Sequence, residues 1–224
     1  MIPAAAPASK PSAAARPAAP TREAAHRALV EAVRACRGCP LGDARRNAVP
    51  GEGDLNARVM FIGEGPGFDE DRLGRPFVGR AGQLLDRIMA SIGLSRESAY
   101  IANMVKCHPM KNPSSPDSRG NDRAPTPEEM EACRGFIESQ IRLIAPQFIV
   151  TLGAVASKAL LREETPISQL RGRWRELSLE GLPAPARLLP TYHPAALLRQ
   201  PDLKRAVWED MKSLRAAMDG APRS

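Results

Sequence analysis

The cysteines are the first residues in this chain that could do chemistry. Cys36 and Cys39, separated by two residues, close a small chelate loop, and Cys107 and Cys133 are the only other thiols, so one four-thiolate site can form if the fold gathers them. Such a set suits tetrahedral zinc and a 4Fe-4S cluster equally well. Cys133 has a plainer reading, because on the apolar face of a helix a free cysteine packs as a small hydrophobe. Disulfides rank last in a chain without a secretion signal.

Other reactive residue types sit beside glycine-rich turns or at the ends of apolar runs. His193, in Pro190-Thr191-Tyr192-His193-Pro194, closes a predicted strand, and the following proline fixes a turn that presents the imidazole outward. Phe77 lies in the glycine-punctuated stretch 74–80, where it can stack on a flipped base or simply anchor its loop. Asn103 carries an amide able to match a donor-acceptor pair on a base edge, or to cap the loop that follows it. Glu64, Asp69, Glu70 and Asp71 could bind Mg²⁺, orient a water or lie as solvated charge. No terminal Gly-Lys-Ser/Thr follows them, so the turn is not a P-loop.

A series of β/α units must position these groups. Residues 58–63 form an apolar run entering Gly63-Glu64-Gly65-Pro66-Gly67, which reads as a buried strand delivering a functional turn. Runs at 99–105, 147–152 and 187–191 read likewise. Helices are predicted over 22–35 and 81–92, and from near Thr126, Gly153 and Pro201. Thr126-Pro127-Glu128-Glu129 is a capping box with proline at the first helical position, after which Met130, Cys133, Ile137, Ile141 and Ile144 share a face. The alternation predicts an α/β fold: a three-layer α/β/α domain around a central parallel sheet of about four strands. In such sheets sites form beyond the carboxyl ends of the strands, which is where Glu64, Asn103, Cys107, Gly153 and His193 stand.

Composition narrows the classes. Residues 1–22 hold nine alanines, five prolines, three basic residues and no acidic one, too little apolar surface to offset the entropy of ordering. They read as a disordered basic tail that touches DNA phosphates loosely or is inert, a transit peptide being a weaker reading. The domain is expected over residues 23–219, with a short tail at 220–224. A net charge of +7 fits a polyanionic partner but also acidic lipid or plain solubility. No run approaches the roughly 20 apolar residues that span a bilayer, so a cytoplasmic, soluble monomer without membrane contact is expected.

Several blocks then occur in a telling order: Gly63-Glu64-Gly65-Pro66-Gly67-x2-Glu70-Asp71, Gly74-x-Pro76-Phe77-Val78-Gly79-Arg80-Ala81-Gly82, Asn103-x-Val105-Lys106-Cys107, and His193-Pro194-x2-Leu197-Leu198-Arg199. With the cysteine pair upstream, their conjunction resembles the family 4 uracil-DNA glycosylases over about 36–212. The resemblance implies the uracil-glycosylase α/β/α fold, a 4Fe-4S cluster on Cys36, Cys39, Cys107 and Cys133, and excision of uracil from DNA to leave an abasic site. On it, Phe77 stacks on uracil, Asn103 reads its O4 and N3–H edge, and the loop carrying Gly65, Gly67 and Glu70 walls off the thymine methyl. His193 stabilises the anion developing at O2, and Glu64, or else Glu70, positions the attacking water. Leu197 or Leu198 wedges into the minor groove, while Arg199 and Lys106 hold phosphates. Two departures stand out: Gly65 replaces an alanine common in the family, a change expected to leave the loop intact, and the stretch 113–124 is longer than usual, with Arg119 and Arg123 available to phosphates. A related subgroup trapped covalently on DNA carries a histidine-containing loop in this region; a histidine-free connection predicts turnover here. The rivals are a zinc-dependent DNA-binding module and a glycosylase of this fold acting on hypoxanthine or xanthine.

Overall fold

A computed structural model describes residues 20–221. The expected N-terminal tail lies outside them up to position 19, and the expected C-terminal tail beyond Ala221. α1 (Arg22–Ala35) opens the described chain, capped by Thr21, whose hydroxyl accepts the Ala24 N–H. The short α2 (Leu41–Ala44) follows Cys39. Next come β1 (Glu52–Gly53), β2 (Val59–Gly63), α3 (Phe68–Leu73), α4 (Arg80–Ala90) and β3 (Tyr100–Asn103). α5 (Pro127–Ile144), β4 (Phe148–Leu152), α6 (Ala154–Leu161), α7 (Ile167–Leu170) and β5 (Arg175–Leu177) succeed them. β6 (Ala186–Thr191), α8 (Pro194–Arg199) and α9 (Leu203–Gly220) complete the order.

One six-stranded sheet runs β1-β3-β2-β4-β6-β5. Its four central strands are parallel, as expected, and β1 and β5 add antiparallel edges that the sequence reading did not include. β1 has only two residues and β5 three, too short for a period of two to show. All five residues of β2 are buried, the signature of a strand covered on both faces. Alternate side chains enter opposite layers: Phe61 packs with Leu85, Met89, Met211 and Leu214 of α4 and α9, whereas Met60 and Ile62 pack with Ile137, Ile141 and Ala156 of α5 and α6. The three-layer architecture follows from that alternation.

β3 lies on one side of β2 and β4 on the other, so connections diverge at β2 and open a crevice at the carboxyl ends. α5 begins as its sequence predicts: Thr126 accepts the Glu129 N–H at 3.2 Å and Glu129 accepts the Thr126 N–H at 2.8 Å. Asp69, Glu70 and Asp71, carboxylates expected on a loop, lie instead on α3, whose six residues starting Phe-Asp-Glu-Asp carry no helical periodicity.

Candidate active site

Gly63 ends β2 in register with Asn103 at the end of β3. A Cβ on Gly63 would stand 2.4 Å from Phe77 Cζ and 2.5 Å from Asn103 Oδ1, closer than atoms can pack. Glycine is required because an aromatic ring and an amide converge there.

Phe77 itself is held at φ +53°, a left-handed state that costs an aromatic residue on the order of 1–3 kcal/mol. Arg96 holds it: the guanidinium donates to the carbonyls of Phe77 and of Pro76 (3.0 Å), and pairs with Glu52 at 2.7 Å and Asp86 at 2.8 Å. Gly82 gives it room, since a Cβ there would lie 1.7 Å from the Phe77 carbonyl oxygen. The ring faces His193, centroid to centroid 5.6 Å and tilted 33°.

His193 caps α8, its Nδ1 accepting the Ala195 N–H at 3.1 Å, which assigns the proton to Nε2. Burial, with the charge of Arg199 adding to it, pushes the imidazole pKa down to about 4, so the ring is neutral at pH 7 and still a donor. The strand behind it is anchored by buried Asp210, which accepts the Thr191 hydroxyl at 2.6 Å and pairs with Arg171. Asn103 is 1% exposed, and neither its Oδ1 nor its Nδ2 has a partner. A buried polar group left so costs about 1–3 kcal/mol, and such a group marks a place where a ligand completes the bonding.

The carboxylates of the turn go separate ways rather than forming one cation site. Glu70 accepts the N–H groups of Gly67 (3.1 Å), Val78 (2.8 Å) and Gly79 (2.9 Å), tying the Gly67 turn to the Phe77 turn. Asp71 is buried and accepts the Arg46 N–H at 3.1 Å. Asp69 pairs with Arg119 at 3.2 Å. Glu64, which follows Gly63 directly, is half-buried, and burial raises its pKa above the ordinary 4.5.

All four cysteines line a single small cavity between α1, α2, the segment after β3, and α5. The Cys36 sulfur accepts the Gly38 N–H at 3.3 Å and the Cys107 sulfur an Arg45 N–H at 3.0 Å. Arg45 also donates to the carbonyls of Val33, Arg34 and Cys36, so one guanidinium joins the end of α1 to Cys107. Among the described residues, no three side chains of ligand type close on the sphere of a single ion.

Residues 50–212 match the Uracil DNA glycosylase superfamily. The chain is 41% identical over 199 residues to a type-4 uracil-DNA glycosylase of Thermotoga maritima, across 88% of this chain and 96% of that one. It is 40% identical over 190 residues to the type-4 enzyme of Archaeoglobus fulgidus, across 83% and 89%. Against a type-5 uracil-DNA glycosylase of Thermus thermophilus, identity falls to 30% over 198 residues, across 74% and 85%. The chain belongs to the type-4 uracil-DNA glycosylases.

Within that family frame, the structure brings Phe77, Asn103 and His193 together, with Glu64 next to Gly63 in the chain, but it moves other expected residues elsewhere. Lys106 does not reach phosphates: it is 1% exposed, and its amine donates inward to the Asn103 carbonyl at 2.7 Å and Gln140 Oε1 at 2.5 Å. Leu197 does not wedge into DNA, because it is 1% exposed within the α4/α9 layer, whereas Leu198 stands 38% exposed beside the exposed Arg199. Arg123 is occupied by a two-pronged pair with Glu129, leaving Arg119, stacked 4.8 Å over Phe68, as the exposed cation of the long segment. At Gly65 an added Cβ would meet Val105 Cγ2 at 2.8 Å, so glycine fits where this chain packs Val105 against the turn.

The histidine-free connection is also corrected. His108 follows Cys107 directly; it is 1% exposed, and its Nε2 pairs with Asp122 at 2.6 Å. That pairing, helped by the Phe68 amide, holds the Asp122 carboxyl below its usual range. Arg45, Arg96 and Gln140 were missed altogether. An isolated arginine or glutamine carries no local pattern, and only the folded chain shows what it bridges.

Proposed function

We propose that this protein swings uracil out of DNA and hydrolyses its N-glycosidic bond, leaving an abasic site for base-excision repair. The observation that carries the reading is Asn103: a buried amide with donor and acceptor both free, next to an aromatic ring and a neutral histidine donor. Uracil offers N3–H to Oδ1 and O4 to Nδ2, whereas cytosine presents the reverse pattern and leaves both atoms buried and unpaired. Phe77 stacks on the extruded base, at a cost in unstacking of a few kcal/mol.

As the C1′–N1 bond lengthens, negative charge gathers on the base and positive charge on the sugar. His193 Nε2–H donates to O2, where the charge of the leaving uracil develops. Glu64 orients a water toward C1′; hydroxide is added to the sugar, and the water's remaining proton ends on the departing base. Glu70 keeps the turn in shape through its three amide contacts. Leu198 fills the gap in the stack and Arg199 holds a phosphate.

Cys36, Cys39, Cys107 and Cys133 would hold a 4Fe-4S cluster, whose contribution is structural, pinning α1 to the segment after β3. Four thiols around one cavity, with N–H donors on two sulfurs, fit it, and thiols spread around a space suit a cluster with one iron per thiolate better than one tetrahedral zinc. We place the protein in the cytoplasm as a monomer; among the described residues no helix is long and apolar enough to cross a membrane.

The test is a set of labelled oligonucleotides carrying one uracil, cytosine, thymine or hypoxanthine, incubated with the purified protein, its colour recorded, and then cleaved at abasic sites with alkali. Cleavage at uracil alone supports the reading. Cleavage at hypoxanthine instead, or binding without cleavage by a colourless zinc protein, overturns it.

A further inference from the structure

No hydrogen bond holds the Asn103 side chain, since both of its polar atoms lack partners. Its aim is therefore set by its own backbone, which leaves the sheet at that residue. The carbonyl of Asn103 accepts the amine of Lys106, three residues on, at 2.7 Å. That lysine is enclosed, and its second partner, Gln140 of α5, is itself fixed through donation to the Pro50 carbonyl and to Tyr100 Oη at 3.2 Å. Tyr100 Oη in turn meets His26 of α1 at 3.0 Å. Burying an amine among apolar layers is costly unless its bonds are needed and complete. Met104 and Val105 donate to the carbonyls of Gly63 and Glu64 at 2.9 and 3.2 Å, so the same short segment also braces the catalytic turn.

We propose that Lys106 is a positioning residue: by bonding the Asn103 carbonyl against Gln140, it aims the uracil-reading amide and links it, through adjacent Cys107, to the four-cysteine cavity. The inference rests on Asn103 reading the base. A purely supporting lysine would lower iron content or melting temperature without changing how the surviving molecules bind uracil.

The test compares Lys106→Met, Gln140→Leu and Asn103→Ala with the unaltered full-length protein, each assayed per mole of bound iron. The readouts are KM for a uracil oligonucleotide, kcat, and inhibition by free uracil. For Lys106→Met, KM and the uracil inhibition constant should both rise about tenfold, the scale of one misdirected hydrogen bond, with kcat per iron changed less. Gln140→Leu should move both the same way by about threefold, and it carries the test if Lys106→Met does not fold. If Asn103→Ala weakens uracil binding while the folded Lys106 and Gln140 variants leave it unchanged, the positioning role is overturned and the base-reading role stands. If Asn103→Ala leaves uracil binding unchanged, the base-reading role fails and the positioning role falls with it.

Discussion

The base pocket and the four-cysteine arm lie at opposite ends of one short segment, Asn103 to Cys107, yet they are finished differently. In the pocket, polar atoms stand without partners: both ends of the Asn103 amide are free, and His193 uses one ring nitrogen and offers the other. In the arm most of the bonding comes from the chain itself, Arg45 alone reaching three carbonyls and a sulfur, although the buried Nδ1 of His108, next to Cys107, has no partner. A buried group left open costs stability and is kept where a substrate closes it; a group bonded by the chain is scaffold. Substitutions in the pocket should therefore change rate in a well-folded protein, and substitutions in the arm should change how much protein is folded and loaded.

The largest effect is expected at His193. His193→Ala removes the donor to O2 and should lower kcat on uracil DNA by about 10²-fold or more, with KM little changed. Iron content and melting temperature measured on the same preparation should match the parent. A comparable loss of iron would break the distinction between the two regions.

Cys107→Ser tests the other side. It should bleach the brown absorbance and lower the melting temperature by roughly 10 °C, the scale of several kcal/mol in a domain this size. Activity should fall in proportion to iron, with KM of the remaining loaded molecules unchanged. Full activity in iron-free protein would show that the arm is dispensable to the pocket.

Glu64 sharpens the comparison through pH. Burial lifts its carboxyl above 4.5, and the ionised form is the one that orients water, so kcat should rise with pH through that raised pKa and then level. His193 adds no limb between pH 5 and 8 because it stays neutral down to about 4. Its depressed value acts on stability instead: the contribution is complete above the unfolded pKa near 6.5 and is lost as pH falls toward 4. Glu64→Gln should erase the acid limb of kcat and lower the plateau about tenfold. A surviving limb would assign the titration to another group.

Legibility in the sequence divides along similar lines. The four parallel strands and α5 announce themselves because long apolar runs and a capping box are local signals. So do Phe77 and His193, each beside a proline, and Asn103, which closes an apolar run. Lys106 and Leu197 misled, since exposure is not local: a lysine before a cysteine gives no sign that Gln140, 34 positions on, closes over it. Leu197 and Leu198 are chemically alike, and only the direction of α8 buries the first and exposes the second.

The smallest effect concerns surface charge. Arg199 lies exposed at the end of α8, next to exposed Leu198, where a phosphate can reach it. Arg199→Ala should weaken DNA binding only a few-fold, but it should reduce the slope of log affinity against log salt by about 0.9, the signature of one phosphate contact on duplex DNA. Lys106→Met should leave that slope where it is, because an amine enclosed between Asn103 and Gln140 releases no counterion. Fluorescence anisotropy of a uracil duplex across a salt series reads both at once. An unchanged slope for Arg199→Ala would move the phosphate contact elsewhere, exposed Arg119 over Phe68 being the next residue to test. A slope lowered in Lys106→Met would mean that the lysine leaves its buried partners when DNA binds, and the two regions would then not be separate in the complex.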